Sequence, residues 1–171
     1  MGKIVGAVFV LGGIAGGLFQ WTLDQKAKEQ RVEAFIRFFR KAIFSMETEK
    51  MKLVDLFAQY ISKDWYLNEA FYEIAKRLAS NMYPKGELVW ESVLEEYRGK
   101  LALDREVYEV IIQAGTGFFG RNLEENKSFL EKSIQELERR QIEMNIKNTK
   151  ERKVWIPVFM LSGVMVILIF L

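Results

Sequence analysis

The C-terminal third of the chain, residues 122–171, has the pattern of one long helix that ends in a charge-free segment. Asn122 followed by Glu125 is typical of a helix-capping box, in which the Asn122 side chain accepts from the N3 amide. Apolar residues then recur at helical spacing on one narrow face, at Leu123, Leu130, Ile134, Leu137 and Met144. Residues 154–171 carry no charge, and a helix of that length reaches about 27 Å, close to the hydrocarbon thickness of a bilayer. This last segment is therefore predicted to cross a membrane.

A second charge-free segment lies at the other end of the chain, over residues 4–23. As a helix it would extend roughly 30 Å, which is enough to span a bilayer. The alternative is a cleaved signal peptide, but its apolar core would usually be only about 7–15 residues long and would precede a small-x-small cleavage site. The segment is longer than that and has no such site, so a second transmembrane helix is favoured.

Two overlapping Gly-x-x-x-Gly patterns lie in the N-terminal segment, formed by Gly12, Gly13, Gly16 and Gly17. Such patterns let two membrane helices approach closely. The prediction is membrane helix packing at these glycines, with the other anchor or another subunit as the partner. The alternative is that glycine is simply common in membrane helices.

The chain between the two segments is highly charged and periodic. All the acidic residues and every basic residue except Lys3 lie within residues 24–153. Apolar residues recur there every three or four positions, and no segment alternates over the length of a strand. The predicted fold is all-α, a bundle of about six helices between an N-terminal and a C-terminal transmembrane helix. The predicted helices cover residues 24–51, 53–61, about 68–80, 88–97, a fifth one capped by Asp104, and the long helix from Asn122.

The inward-facing positions of these helices predict the core of the domain. Six residues are placed there: Phe35, Phe39, Phe71, Trp90, Val107 and Ile111. Trp65 is predicted to be a second tryptophan anchor of the core, since tryptophans in such patterns are more often buried than ligand-binding.

The composition excludes much enzyme chemistry. The chain has no Cys and no His, which removes disulfides, thiolate nucleophiles and the commonest zinc, haem and acid–base ligands. No catalytic, cofactor-binding or metal-binding residue is predicted, and neither is a small-molecule substrate. The net charge of +2 gives no basic footprint for nucleic acid.

Gly115, Gly117 and Gly120 match the spacing of a dinucleotide-binding fingerprint. That site needs a preceding strand, a following helix and an acidic residue at the end of a second strand. Glu138, at about the right distance along the chain, falls in the middle of the long helix, and no second strand is predicted. The glycines are therefore interpreted as a helix break that lets two helices turn closely on each other, with nucleotide binding as the alternative.

Basic residues flank both predicted spans on the side of the domain. After the first span come Lys26, Lys28, Arg31, Arg37 and Arg40, and before the second come Arg139, Arg140, Lys147, Lys150, Arg152 and Lys153. Because basic residues near span ends favour the cytoplasmic side, the domain is predicted to face the cytoplasm and both termini the opposite side.

This layout resembles the stage III sporulation protein AB family of endospore-forming bacteria, over essentially the full length. The residues that carry the resemblance are Val89-Trp90-Glu91-Ser92, Leu103-Asp104-Arg105-Glu106, and Phe119-Gly120 before the long helix. Leu123 and Lys127 differ from the Asp and Gln expected in that family. The family is similar in turn to the cytoplasmic domain of type II secretion F and type IV pilus C platform proteins.

The resemblance implies a non-enzymatic subunit of the sporulation channel complex between mother cell and forespore. It would sit in the mother-cell-derived membrane, contact other subunits of the complex, and dock the secretion-type ATPase of the same set, protein AA. Two other functions remain open. One is a membrane-anchored signalling or receptor module, and the other is an enzyme that uses carboxylates or the glycine break with a nucleotide.

Overall fold

The structure is a computed structural model that describes residues 2–49, 51–80, 84–120 and 122–170. Within its helices, the side chains of residues 2–11, 14, 15, 18, 49, 166, 167, 169 and 170 lie outside the description. The described residues form helices and contain no strand, which confirms the all-α prediction. The helices are α1 (Gly2–Phe44), a π-helical stretch (Ser45–Glu49), α2 (Leu53–Gln59), α3 (Trp65–Ala79), α4 (Gly86–Leu101), α5 (Arg105–Gln113), α6 (Gly115–Phe119) and α7 (Leu123–Phe170).

The chain divides into two compact units. Unit 1 consists of Met1–Ala27 with Ile142–Leu171, and unit 2 consists of Lys28–Gln141. No helix in the part of the chain that the structure describes has both the length and the apolar character needed to cross a membrane. Of the two predicted spans, residues 4–23 and 154–171, several side chains fall outside the described set, at positions 4–11, 14, 15, 18, 166, 167 and 169–171.

The predicted helix boundaries differ from the observed ones most clearly in α1 and α4. The helix predicted over residues 24–51 covers the second half of α1, which already begins at Gly2 and ends at Phe44, and the π-helical stretch Ser45–Glu49. The turn predicted at Arg98, Gly99 and Lys100 lies inside α4, which ends at Leu101. A single glycine costs a helix interior only about 1 kcal/mol. The helix is terminated by its C-cap residue Ala102, which adopts the left-handed conformation with φ 46° and donates its N–H to the Arg98 carbonyl.

The core of unit 2 is an aromatic cluster built around α1. Phe35, Phe38 and Phe39 are three or four residues apart, so they share one face of the helix, and all three are fully buried. Phe38 lies with its ring centroid 4.4 Å from that of Phe71 on α3. Trp90 of α4 lies 5.3 Å from Phe118 of α6. Each such pair adds about 0.5–1.5 kcal/mol beyond the area that it buries.

The residues predicted for the core lie in or beside this cluster. Phe35, Phe39, Phe71, Trp90, Val107 and Ile111 are all buried. The prediction for Trp65 is wrong, because its side chain is 72% exposed at the first position of α3.

Within unit 2, α7 runs antiparallel to α1. Ion pairs connect Glu47 with Lys127 at one end and Arg40 with Glu138 further along. The prediction of the Asn122 cap is off by one residue, since its side chain accepts from the Glu124 amide at 3.0 Å, the N2 position.

In unit 1, the parts of α1 and α7 line an aromatic cleft of about 340 Å³ at Gly17, Trp21, Trp155 and Phe159. The rings of Trp155 and Phe159 lie 5.8 Å apart. A Cβ placed at Gly12, Gly13, Gly16 or Gly17 would have no atom within 4 Å. The described residues thus leave the glycine strip open, and its packing stays a prediction.

Candidate protein-interaction site

A surface groove of about 580 Å³ lies between α4 and α5. It is called the α4–α5 groove here and is lined by Leu88, Glu91, Ser92, Glu95, Tyr108 and Ile112. On α4 the lining residues are spaced by three and four positions, and on α5 by four, so each helix contributes one face. The result is an apolar floor with carboxylates along one side.

The groove is held from behind by Trp90. Its indole Nε1 donates to the Ile111 carbonyl of α5 at 3.0 Å, so the buried N–H is satisfied and α4 is fixed to α5. Val89 and Trp90 face the core, while the next residue, Glu91, is exposed. Residues 89–92 thus supply both core packing, through Val89 and Trp90, and groove surface, through Glu91 and Ser92.

The glycines of the fingerprint-like pattern are sites of close approach. A Cβ at Gly115 would lie 2.6 Å from Cδ1 of Trp90, and one at Gly117 would lie 2.9 Å from Cγ of Leu130. A Cβ at Gly120 would collide with the Asn126 side chain, whose Nδ2 donates to the Gly120 carbonyl at 2.9 Å. These glycines let the short helix α6 pack against α4 and α7. The segment before them is α5, a helix, whereas a dinucleotide site requires a strand.

Tyr108 and Glu95 form the polar centre of the groove. The Tyr108 hydroxyl donates to Oε2 of Glu95 at 2.6 Å, and the Arg98 guanidinium lies 4.8 Å from the centroid of the Tyr108 ring. Burial, reinforced by the adjacent Glu95 carboxylate, raises the pKa of Tyr108 well above its usual value. The hydrogen bond from Tyr108, followed by that from Arg98, lowers the pKa of Glu95. Glu95 therefore stays charged and Tyr108 stays protonated at neutral pH.

Glu91 differs from Glu95 in having no counter-ion. It is exposed and forms no ion pair with any residue that the structure describes. Leu88, one turn before it, is 43% exposed. A free carboxylate beside an exposed leucine can bind a basic side chain together with its aliphatic neighbours.

Sequence reasoning identified the supports of this groove but not its lining. Trp90, Ile111 and Gly115 were singled out and lie together behind it. Glu91 was named only among the residues that carry the family resemblance, and neither it nor Glu95 was predicted as a site residue, because charged faces of helices are most simply solvated. Tyr108 was not predicted as a site residue either. The sequence did contain a signal for the lining, namely helical spacing of Leu88, Glu91 and Glu95 on α4 and of Tyr108 and Ile112 on α5. In the described part of the chain, no group of three acidic side chains could hold a metal ion.

The fold and the groove define a class, an all-helical domain with the ends of α1 and α7 in a separate unit. A family model described as stage III sporulation protein AB matches residues 3–171. The chain belongs to the stage III sporulation protein AB family, which confirms the resemblance seen in the sequence. The family is one of sporulation proteins.

A solved structure supports the same fold. A stage III sporulation protein AB (SpoIIIAB) superposes with a TM-score of 0.65 at 12% sequence identity, over 72% of this chain and 98% of that one. At that identity the likeness concerns the fold alone. No curated protein matches the sequence significantly.

Proposed function

We propose that this protein is a non-enzymatic platform subunit of the sporulation channel complex between mother cell and forespore, and that it docks the cytoplasmic secretion-type ATPase of that complex. Membership of the stage III sporulation protein AB family supports the role in sporulation. The contact with the ATPase is placed in the α4–α5 groove.

The two terminal segments serve as membrane anchors in this proposal. Support comes from the charge-free sequences of residues 4–23 and 154–171 and from the basic residues that flank them on the domain side. The domain would then face the cytoplasm, where the ATPase can reach it. The open glycine strip at Gly12, Gly13, Gly16 and Gly17 would pack against other membrane subunits.

One observation carries the choice of the groove, namely the unpaired Glu91 beside the ordered Tyr108–Glu95 pair. An interface gains specificity when charges of opposite sign meet across it, and a preordered pair loses little side-chain entropy on binding. The groove therefore fits a partner surface that combines basic and aliphatic side chains.

Charge reversal in the groove tests the proposal. Glu91→Lys is compared with Glu131→Lys, an equal change at an exposed position of α7. Both variants of the full chain are expressed in sporulating cells, and the ATPase recovered with them from solubilised membranes is quantified beside the yield of heat-resistant spores. A loss of 1.4 kcal/mol corresponds to a factor of ten in affinity, and like charges across an interface cost more than that. Recovery is expected to fall at least about tenfold for Glu91→Lys and to stay unchanged for Glu131→Lys.

Equal recovery of the ATPase with the two variants would contradict docking in the groove. Melting curves of both variants in detergent check that each is folded. Little change is expected, because both positions are exposed and surface changes usually alter stability by only about 0.5 kcal/mol.

A further inference from the structure

Two exposed apolar side chains lie close together at the connection between α2 and α3. In residues 60–65, called the 60–65 loop here, Ile61 is 83% exposed and Trp65 is 72% exposed. These are the most exposed large apolar side chains among the described residues of unit 2. Scattered apolar residues on a surface are normal, but two large ones in one short connection indicate a contact surface.

Hydrogen bonds connect the 60–65 loop to α1 and α3. Its Ser62 amide donates to Oδ1 of Asn68 at 2.7 Å, and Nδ2 of Asn68 donates back to the Ser62 carbonyl at 3.0 Å. The Tyr60 hydroxyl donates to the Ala34 carbonyl of α1 at 2.8 Å. Asp64 caps α3 by accepting from the Leu67 amide at 2.9 Å. Ile61 and Trp65 are thus presented at low entropic cost, as binding surfaces require.

Contacts to α1 show which end of unit 2 carries the loop. Asp64 pairs with Arg31 at 2.7 Å, and Arg31 also donates to the Leu101 carbonyl at 2.5 Å. Asp104, just after α4, pairs with Lys28 at 2.9 Å. Both connections therefore meet the first residues of α1 that belong to unit 2, which starts at Lys28. In the sequence, only residues 24–27 separate Lys28 from the charge-free segment.

The 60–65 loop also presents one exposed positive charge. Lys63 lies between Ile61 and Trp65, is exposed, and has no ion-pair partner within the described ranges. Lys100 is exposed as well, with its Nζ 5.8 Å from the centroid of the Tyr66 ring, but it pairs with Glu69 at 3.8 Å and so adds no net charge. An aromatic side chain and an aliphatic one with an unpaired lysine between them suit the boundary between headgroups and acyl chains of an anionic bilayer, where tryptophan concentrates.

We propose that the 60–65 loop docks on the anionic lipid surface of the membrane, with Ile61 and Trp65 in the interfacial layer and Lys63 among the phosphates. The inference rests on the membrane anchoring proposed above. It adds a third membrane contact, which fixes the orientation of the domain over the bilayer instead of leaving it to the terminal segments alone.

The chain has no cysteine, so a single nitroxide label can report the depth of the loop. Ile61→Cys is labelled in the full chain and reconstituted into vesicles of phosphatidylcholine and phosphatidylglycerol. Tyr72→Cys is the matched control, because Tyr72 is 65% exposed and lies two turns further along the helix that Trp65 begins. Oxygen partitions into lipid and a nickel chelate stays in water, so the ratio of their collision rates with the label measures depth.

The ratio of oxygen to nickel collision rates is expected to be severalfold higher at position 61 than at position 72, and to fall at position 61 when phosphatidylglycerol is left out. A label at Trp65→Cys should repeat the result of position 61, and circular dichroism checks the fold of each variant.

Three results would overturn the inference. Equal ratios at positions 61 and 72, in protein that floats with the vesicles, would remove the loop contact and leave the anchoring intact. A label at 61 that is shielded from nickel without gaining oxygen collisions, with spin–spin broadening, would assign the loop to a second copy of the chain. Protein that does not float with the vesicles would overturn the anchoring and this inference with it.

Discussion

Trp90 and Trp65 show how surroundings decide what a residue contributes. Trp90 is fully buried, contacts Phe35, Phe57 and Phe118 within the aromatic cluster, and makes the hydrogen bond that connects α4 to α5. Trp65 begins α3 with most of its ring in solvent. The same truncation at the two positions therefore removes very different amounts of packing.

Trp90→Ala is expected to lower the free energy of unfolding of the full chain by about 3–5 kcal/mol, the usual cost of deleting a buried large aromatic side chain. Trp65→Ala should change it by no more than about 0.5 kcal/mol, as for most surface substitutions. Urea unfolding in detergent, followed by circular dichroism, measures both. Similar losses for the two variants would contradict the assignment of Trp90 to the core and of Trp65 to the surface.

The sequence predicted these two residues with unequal success for a physical reason. Trp90 lies within a helical apolar pattern, with Val93 and Leu94 on the same side, and such periodicity predicts a buried face. Trp65 lies before the apolar helical pattern of α3 and is not part of it. Its exposure depends on where the connection from α2 runs, and local spacing does not contain that information.

At the scale of the element, Asp64 and Asp104 both occupy the N-cap position of a helix but form different interactions. The Asp64 side chain caps α3 and pairs with Arg31, and both side chains of that pair are largely buried. Asp104 stands at the N-cap of α5 without a side-chain capping bond, because its carboxylate pairs with Lys28 of α1 instead. The sequence predicted a cap at Asp104 and missed the one at Asp64. The sequence did not indicate the ion pair of Asp104, because its partner Lys28 lies 76 residues earlier in the chain.

Asp64→Ala is expected to destabilise the protein by about 2–4 kcal/mol, since it removes a helix cap and leaves the part-buried Arg31 unpaired. Asp104→Ala should cost less than about 1 kcal/mol, the usual range for an exposed ion pair. Asp64→Asn keeps the capping oxygen but loses the charge, so its stability should lie between wild type and Asp64→Ala. Thermal melts of the three variants would contradict this account if Asp104→Ala were the most damaging.

At the scale of the whole molecule, α1 and α7 connect the two units by continuous helix. Each begins or ends in a charge-free segment and continues into the charged unit 2 without a break in the described backbone. This continuity was predictable for α7, whose helical pattern runs through the charged residues. For α1 the prediction divided one helix in two, because its change in composition at Asp24 was taken as a boundary.

The α4–α5 groove was not predicted from the sequence, although the residues of each wall share a helical face. Its two walls come from helices whose relative position depends on the Trp90–Ile111 hydrogen bond and on the space left by Gly115. Neither contact can be read from the order of residues alone. The helices, most of the core and the family were accessible from the sequence, whereas the surface that we propose for docking needed the structure.

The proposed function requires that unit 2 faces the cytoplasm, where an ATPase can reach the groove, and a measurement of topology tests this most directly. Lys85 is exposed directly before α4, and Lys85→Cys gives the chain its single thiol. Intact cells are treated with a membrane-impermeant thiol reagent before and after lysis. Labelling is expected only after lysis. Labelling in intact cells would place unit 2 on the outer side, out of reach of a cytoplasmic ATPase, and would contradict the account in favour of a receptor-like module.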